Sequence, residues 1–121
     1  MSSDAVTVER DGAVATVRLN RPDKRNALTT ELKVALRDAL EAVGAEDEVR
    51  AVVLASSGKA FCVGQDLGEH AEALRADAST ALDTVGEHYN RIAGALAGMP
   101  KPVVAAINGA CVGAGLGFAL A

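Results

Sequence analysis

Pro102-Val-Val-Ala-Ala-Ile-Asn-Gly-Ala-Cys-Val-Gly-Ala-Gly-Leu-Gly-Phe-Ala-Leu-Ala121 is the stretch whose reading decides the fold. It starts as a short apolar run, residues 103–107, bounded by Pro102 and by Asn108-Gly109. That pattern predicts a buried strand closed by a turn. Glycines then crowd in at 109, 113, 115 and 117 before a second apolar run. Strand, Gly-rich turn and apolar helix together expose backbone N–H groups at a helix N-terminus. Such groups hold anions or developing negative charge, and glycine lets a ligand or a second backbone come close.

A second loop of this kind lies about fifty residues earlier. Lys59-Ala-Phe-Cys-Val-Gly-Gln-Asp-Leu67 follows an apolar run at 51–55 and carries its own Gly64. Two strand-to-turn bends can each supply one N–H to a single oxygen.

The bulk composition bounds the rest. A chain of 121 residues, half apolar and 23% charged, is one globular domain or less. Aromatic residues are only 2%, so the core must be aliphatic. A net charge of −4 and the lack of a Lys/Arg stripe argue against nucleic-acid binding. No apolar run is expected to reach membrane-spanning length. The opening residues lack a basic segment followed by an apolar one, so no secretory signal is expected. Cys62 and Cys111 fit no zinc spacing and read as buried small hydrophobes in a reducing compartment, with the cytoplasm as default and no metal expected.

In chain order, residues 5–9 and 13–19 read as strands joined at Asp11-Gly12. Residues 20–26 form a polar loop holding Arg21, Lys24 and Arg25, either a solvated loop or a grip on a phosphate-bearing ligand. Thr29 or Thr30 caps a helix whose apolar face is Leu32, Ala35, Leu36, Ala39, Leu40 and Val43, with Gly44 ending it. Arg37 and Glu41 stand four apart on its wet face. The run 51–55 lacks a polar alternate, which predicts a strand covered on both sides. Residues 68–77 are a short helix or loop. From 79 onward Leu82, Val85, Tyr89, Ile92, Leu96 and Met99 mark an amphipathic helix of about twenty residues, stopped by Gly98 and Pro100. His70 and His88 read as lone surface histidines. The order β-β-α-β-loop-α-β-α predicts an α/β or mixed fold.

Four segments carry a resemblance: residues 19–28 (Leu-Asn-Arg-Pro-Asp-Lys-Arg-Asn-Ala-Leu), residues 50–54 (Arg-Ala-Val-Val-Leu), residues 59–67, and residues 101–109 running into Gly113-Ala114-Gly115. Together they resemble the crotonase superfamily, the enoyl-CoA hydratase/isomerase family, over the whole chain but only about the first half of a usual member. The resemblance implies an α/β, crotonase-like (ClpP/crotonase) spiral of ββα units. Residues 1–121 would be a single core domain, incomplete at its C-terminal end. It implies an acyl-CoA thioester substrate, with coenzyme A as part of the substrate rather than a cofactor. It also implies a homo-oligomer, trimer or hexamer.

By the same resemblance, the backbone N–H groups of Gln65 and Ala114 become the two donors that stabilise a thioester enolate. Lys24 and Arg25 become candidates for the nucleotide phosphates, and Ala27, Val63, Gly64, Asp66, Leu67 and Gly113 line the substrate. Asp66 can equally hold the turn as an acceptor for local N–H groups. The family's hydratases use two glutamates. The first falls at Gly117, which has no side chain, and the second lies past Ala121. An isomerase or another branch is therefore favoured over a two-glutamate hydratase. The alternative is a truncated, inactive protein that only binds acyl-CoA or a partner. The nearest carboxylates, Glu69, Glu72 and Asp77, are not distinguished by spacing. A dinucleotide site fails because Phe118 stands where a third glycine belongs, and a serine hydrolase fails because no Ser follows Ser79.

Overall fold

The computed structural model describes residues 4–121. A hairpin opens it: β1 (Val6–Asp11) pairs antiparallel with β2 (Val14–Leu19). The two-residue connection is Gly12-Ala13, one residue later than Asp11-Gly12, because Gly12 takes the positive φ of 59° that the turn needs. β3 (Ala51–Ser56) and β5 (Val103–Ala105) extend the sheet in parallel, giving the order β1-β2-β3-β5. A separate two-stranded parallel sheet joins β4 (Ala60–Cys62) to β6 (Ala110–Cys111). At three and two residues, β4 and β6 are too short to show a period, so the sequence reads them as loop.

Between β2 and β3 runs α1 (Thr30–Ala45). Thr29 caps it, its hydroxyl accepting from the Leu32 amide at 3.2 Å. Leu32, Leu36, Leu40 and Val43 are fully buried in the core that α1 forms with β1, β2 and the later helix, each worth roughly 1.5–3 kcal/mol relative to exposure. Gly44 does not end the helix; it lies where a side chain would press on Met99 Sδ at 3.0 Å. The last carbonyls are met by Lys101, whose ammonium donates to Val43 O at 2.7 Å and to Glu46 O. The expected Arg37–Glu41 pair is absent. Arg37 pairs with Asp38 and Glu41 faces Arg91 at 3.7 Å.

α2 (Leu67–Ala76) realises the short helix expected at 68–77. The long helix expected after 79 is broken. Turns lead into a π-helical segment, Val85–Tyr89, and only then into α3 (Asn90–Ala97). A π turn inserts an extra residue, so the residues before it leave the apolar stripe. Ile92 and Leu96 are accordingly buried, whereas Leu82 and Val85 are exposed.

The strand at 103–107 also departs from expectation. β5 is an edge strand, and Val104 and Ile107 are 60% and 54% exposed, because no described layer covers that side. α4 (Ala114–Leu120) follows β6. Cys62 is buried, but Cys111, its neighbour across the β4–β6 ladder, is only half-buried; both are free thiols. No helix among the described residues is long and apolar enough to cross a membrane.

Candidate functional site

The site begins with an asparagine. Asn26 is buried in left-handed backbone at φ 58°, a conformation Asn tolerates. Its Oδ1 accepts from the Arg21 amide at 2.8 Å, and its Nδ2 donates to Ser57 O at 2.9 Å and Ala60 O at 3.0 Å. One side chain thereby pins the 20–28 loop to the start of β4. Arg21 turns inward, donating to Ala27 O at 3.0 Å and to Asp66 Oδ2 at 2.8 Å. Lys24 and Arg25 stay on the surface, exposed and without an ion pair among the described residues. Of the loop's three cations, two are thus open to solvent, and Ala27 lies buried beneath the third.

The chain after β4 is fastened on both sides of Gln65. The Leu28 amide donates to Gly64 O at 2.7 Å, and the Asp66 amide to Leu28 O at 2.9 Å. Successive amides of an extended segment point to opposite sides, so the Gln65 N–H faces away from Leu28. Among the described residues it donates to no acceptor, and neither does the Ala114 amide at the first position of α4.

The two bends touch. Gly64 has φ 93°, and a methyl group there would lie 3.4 Å from both the Ala114 amide nitrogen and Val112 O. Gly113, at φ 57°, lies against the Gly64 Cα. The Val112 amide donates to Cys62 O at 3.1 Å, tying the second bend to β4. Gly117, one turn into α4, has open space where a side chain would stand.

Asp66 is the N-cap of α2. Its Oδ1 accepts from the Glu69 amide at 2.8 Å while Oδ2 takes Arg21. These partners, the Glu69 amide first and the Arg21 guanidinium second, hold its carboxyl below the ordinary value. Both oxygens serve the turn. Val63 is half-buried, whereas Leu67 is 79% exposed. The three nearby carboxylates are equally engaged. Glu69 Oε1 accepts from Thr30 N and Oγ1, both at 2.7 Å; Glu72 pairs with Arg75; Asp77 accepts from Ser79 N at 3.0 Å and Ser79 Oγ at 2.6 Å.

A polar cluster that sequence reading passes over sits behind Gln65. Lys33, on α1, is 1% exposed. Its ammonium donates to Gln65 Oε1 at 3.0 Å and to Thr84 Oγ1, and lies 4.6 Å from the centre of the Tyr89 ring. The Tyr89 hydroxyl donates to the same Gln65 Oε1, and its ring packs on Phe118 at 6.0 Å. His88 is not a lone surface residue: its Nδ1 hydrogen-bonds Thr84 Oγ1 at 2.8 Å. Burial pushes the Lys33 ammonium down and the Tyr89 phenol up, to about 12, so the phenol stays a donor. The available signal was Lys33's place between Leu32 and Leu36 on the buried side of α1.

The enoyl-CoA hydratase/isomerase family model matches residues 9–121. The chain belongs to this family, the crotonase superfamily. A crystal structure of an enoyl-CoA hydratase/isomerase homologue from Mycobacterium abscessus superposes with a TM-score of 0.92 at 55% identity, covering 96% of this chain and 45% of that one. Among curated crotonase relatives, the 1,2-epoxyphenylacetyl-CoA isomerase of Escherichia coli is 36% identical over 88% of this chain and 41% of its own. The 4-chlorobenzoyl coenzyme A dehalogenase-2 of an Arthrobacter species is 36% identical over 100% of this chain and 45% of its own. The chain therefore spans a little under half the length of these crotonases, and its fold is that part of the crotonase fold.

Proposed function

We propose that this chain holds the thioester carbonyl of an acyl-CoA between the amides of Gln65 and Ala114, and that these donors stabilise the enolate formed during reaction. The observation that carries this reading is the abutment of the Gly64 and Gly113 bends, with both following amides lacking an acceptor among the described residues. Two oriented N–H groups stabilise negative charge on oxygen, and loss of one such donor typically costs about 10²–10³ in rate. Lys24 and Arg25, exposed on the neighbouring loop and without an ion pair among the described residues, are the groups for the nucleotide phosphates.

The reaction favoured is an isomerisation or another enolate chemistry rather than two-glutamate hydration. Gly117 supplies no carboxylate, and Glu69, Glu72 and Asp77 are all bound within α2 and its neighbours. The same facts support a second reading, a protein that binds acyl-CoA without turning it over. A homo-oligomer, trimer or hexamer, in the cytoplasm is part of the proposal; the apolar side chains left open at Val104, Ile107 and Leu120 support the association alone.

Calorimetry of the intact protein with acetyl-CoA tests the reading, using Ala114→Pro as control. Proline is at home at the first position of a helix, where it removes the N–H and sets its ring Cδ in the place of the hydrogen. Binding of acetyl-CoA that weakens at least tenfold in the variant is expected. Absence of heat with the unsubstituted protein, or equal affinity in both, would count against it.

A further inference from the structure

The Lys33 cluster has no part in the two-amide scheme, yet it is costly. A lysine 1% exposed, with no carboxylate within ion-pairing distance among the described residues, keeps an ammonium ion out of water. Replacing such an ion by an apolar residue of similar volume is often neutral or stabilising. Stability alone therefore gives no reason for a lysine here. One of its two hydrogen bonds gives one: it ends on Gln65 Oε1, the same atom to which the Tyr89 hydroxyl donates, while the other holds Thr84.

That side chain is held at both ends of its amide. Oε1 accepts from the Lys33 ammonium and from the Tyr89 hydroxyl, and Nε2 donates to Asp66 O at 3.3 Å. The main chain on either side is already fixed by the Gly64 and Asp66 bonds to Leu28. Residue 65 is thus held through its side-chain amide as well as through the main chain on either side. Thr84, held in turn by His88, and the Tyr89 ring complete the surroundings of the ammonium.

We infer that Lys33, together with Tyr89, is a positioning residue that aims the Gln65 amide at the substrate oxygen by locking the Gln65 side chain. This inference rests on the acyl-CoA reading above and adds to it a specific device. A backbone donor tolerates any side chain in principle; here the side chain is the strut that orients it.

The test compares two ligands that differ only at the oxygen: acetyl-CoA, a thioester, and S-ethyl-CoA, a thioether lacking the carbonyl. Both are titrated into the intact protein, into Lys33→Met and into Tyr89→Phe. Lys33→Met keeps the apolar stem and removes the charge. Tyr89→Phe removes one hydroxyl and leaves the ring on Phe118. The expected result for Lys33→Met is a tenfold or greater loss of acetyl-CoA affinity, with S-ethyl-CoA affinity held within twofold and the melting temperature unchanged or raised. Tyr89→Phe should show the same selective loss, smaller in size. Equal losses for both ligands in Tyr89→Phe and Lys33→Met, or no loss for either, would overturn the positioning role. An unsubstituted protein that does not prefer the thioester overturns the acyl-CoA reading itself, and this inference with it. If Lys33→Met does not fold, Tyr89→Phe alone decides by the same ratio.

Discussion

Single atoms decide which glycines matter. Gly115 and Gly117 stand two apart on α4, yet a methyl group on Gly115 would lie 2.5 Å from Cys62 O and one on Gly117 would meet nothing within 4 Å. The first glycine is where α4 packs onto β4, and backbone cannot yield there cheaply. The second only adds disorder to the unfolded chain. Gly115→Ala should therefore destabilise the protein by more than about 1 kcal/mol through overpacking. Gly117→Ala should stabilise it by roughly 0.5–1 kcal/mol through helix propensity. Urea unfolding midpoints of the two variants check this; a shift in the same direction for both would be wrong for the packing described. The sequence shows four glycines in nine residues but not which of them touches another strand. That depends on β4, which is too short to be read in advance. Gln65 teaches the same lesson. The resemblance assigns its amide, while its side chain gains meaning only from Lys33 and Tyr89, thirty-two residues before it and twenty-four after.

At the scale of elements, the site is a junction held by one carboxylate. Asp66 starts α2, and through Arg21 it also anchors the 20–28 loop. The Glu69 amide and the Arg21 guanidinium lower its pKa from 3.8. The sign follows from linkage: a depressed acid contributes stability fully above its unfolded value and loses it as pH falls through the folded one. Unfolding free energy should thus drop below pH 3.8 in the unsubstituted protein, with a shallower drop in Asp66→Asn. Asparagine is nearly as good a cap, so that variant isolates the charge. Urea titrations across acid pH measure it, and parallel curves for the two proteins would contradict the assignment. Elements with strong local signals were legible: the hairpin, to within one residue at its turn, the helix cap, narrowed to Thr29 or Thr30, and the aliphatic stripe of α1. The continuous helix after residue 79 was not, because a π turn leaves the spacing of apolar residues nearly helical while rotating Leu82 and Val85 away from the core.

Across the whole molecule, two loops distant in sequence meet because β3 and β5 lie side by side in one sheet and β4 and β6 in another. The parallel pairing delivers the chain to the Gly64 bend and to the Gly113 bend on the same side. Family resemblance made the approach of the Gly64 and Gly113 bends legible. Exposure of β5 was not, since burial of an apolar run depends on what covers it, and here Val104 and Ile107 remain open.

In the proposed function, two main-chain amides grip one thioester oxygen. Isotope-edited infrared difference spectroscopy of the intact protein, with acetyl-CoA labelled at the thioester carbonyl carbon, tests it most directly. Two hydrogen bonds to that oxygen predict a carbonyl stretch moved to lower wavenumber on binding, with part of the shift lost in Ala114→Pro. A bound carbonyl that absorbs where it does in water, unaltered by the proline, would contradict the account.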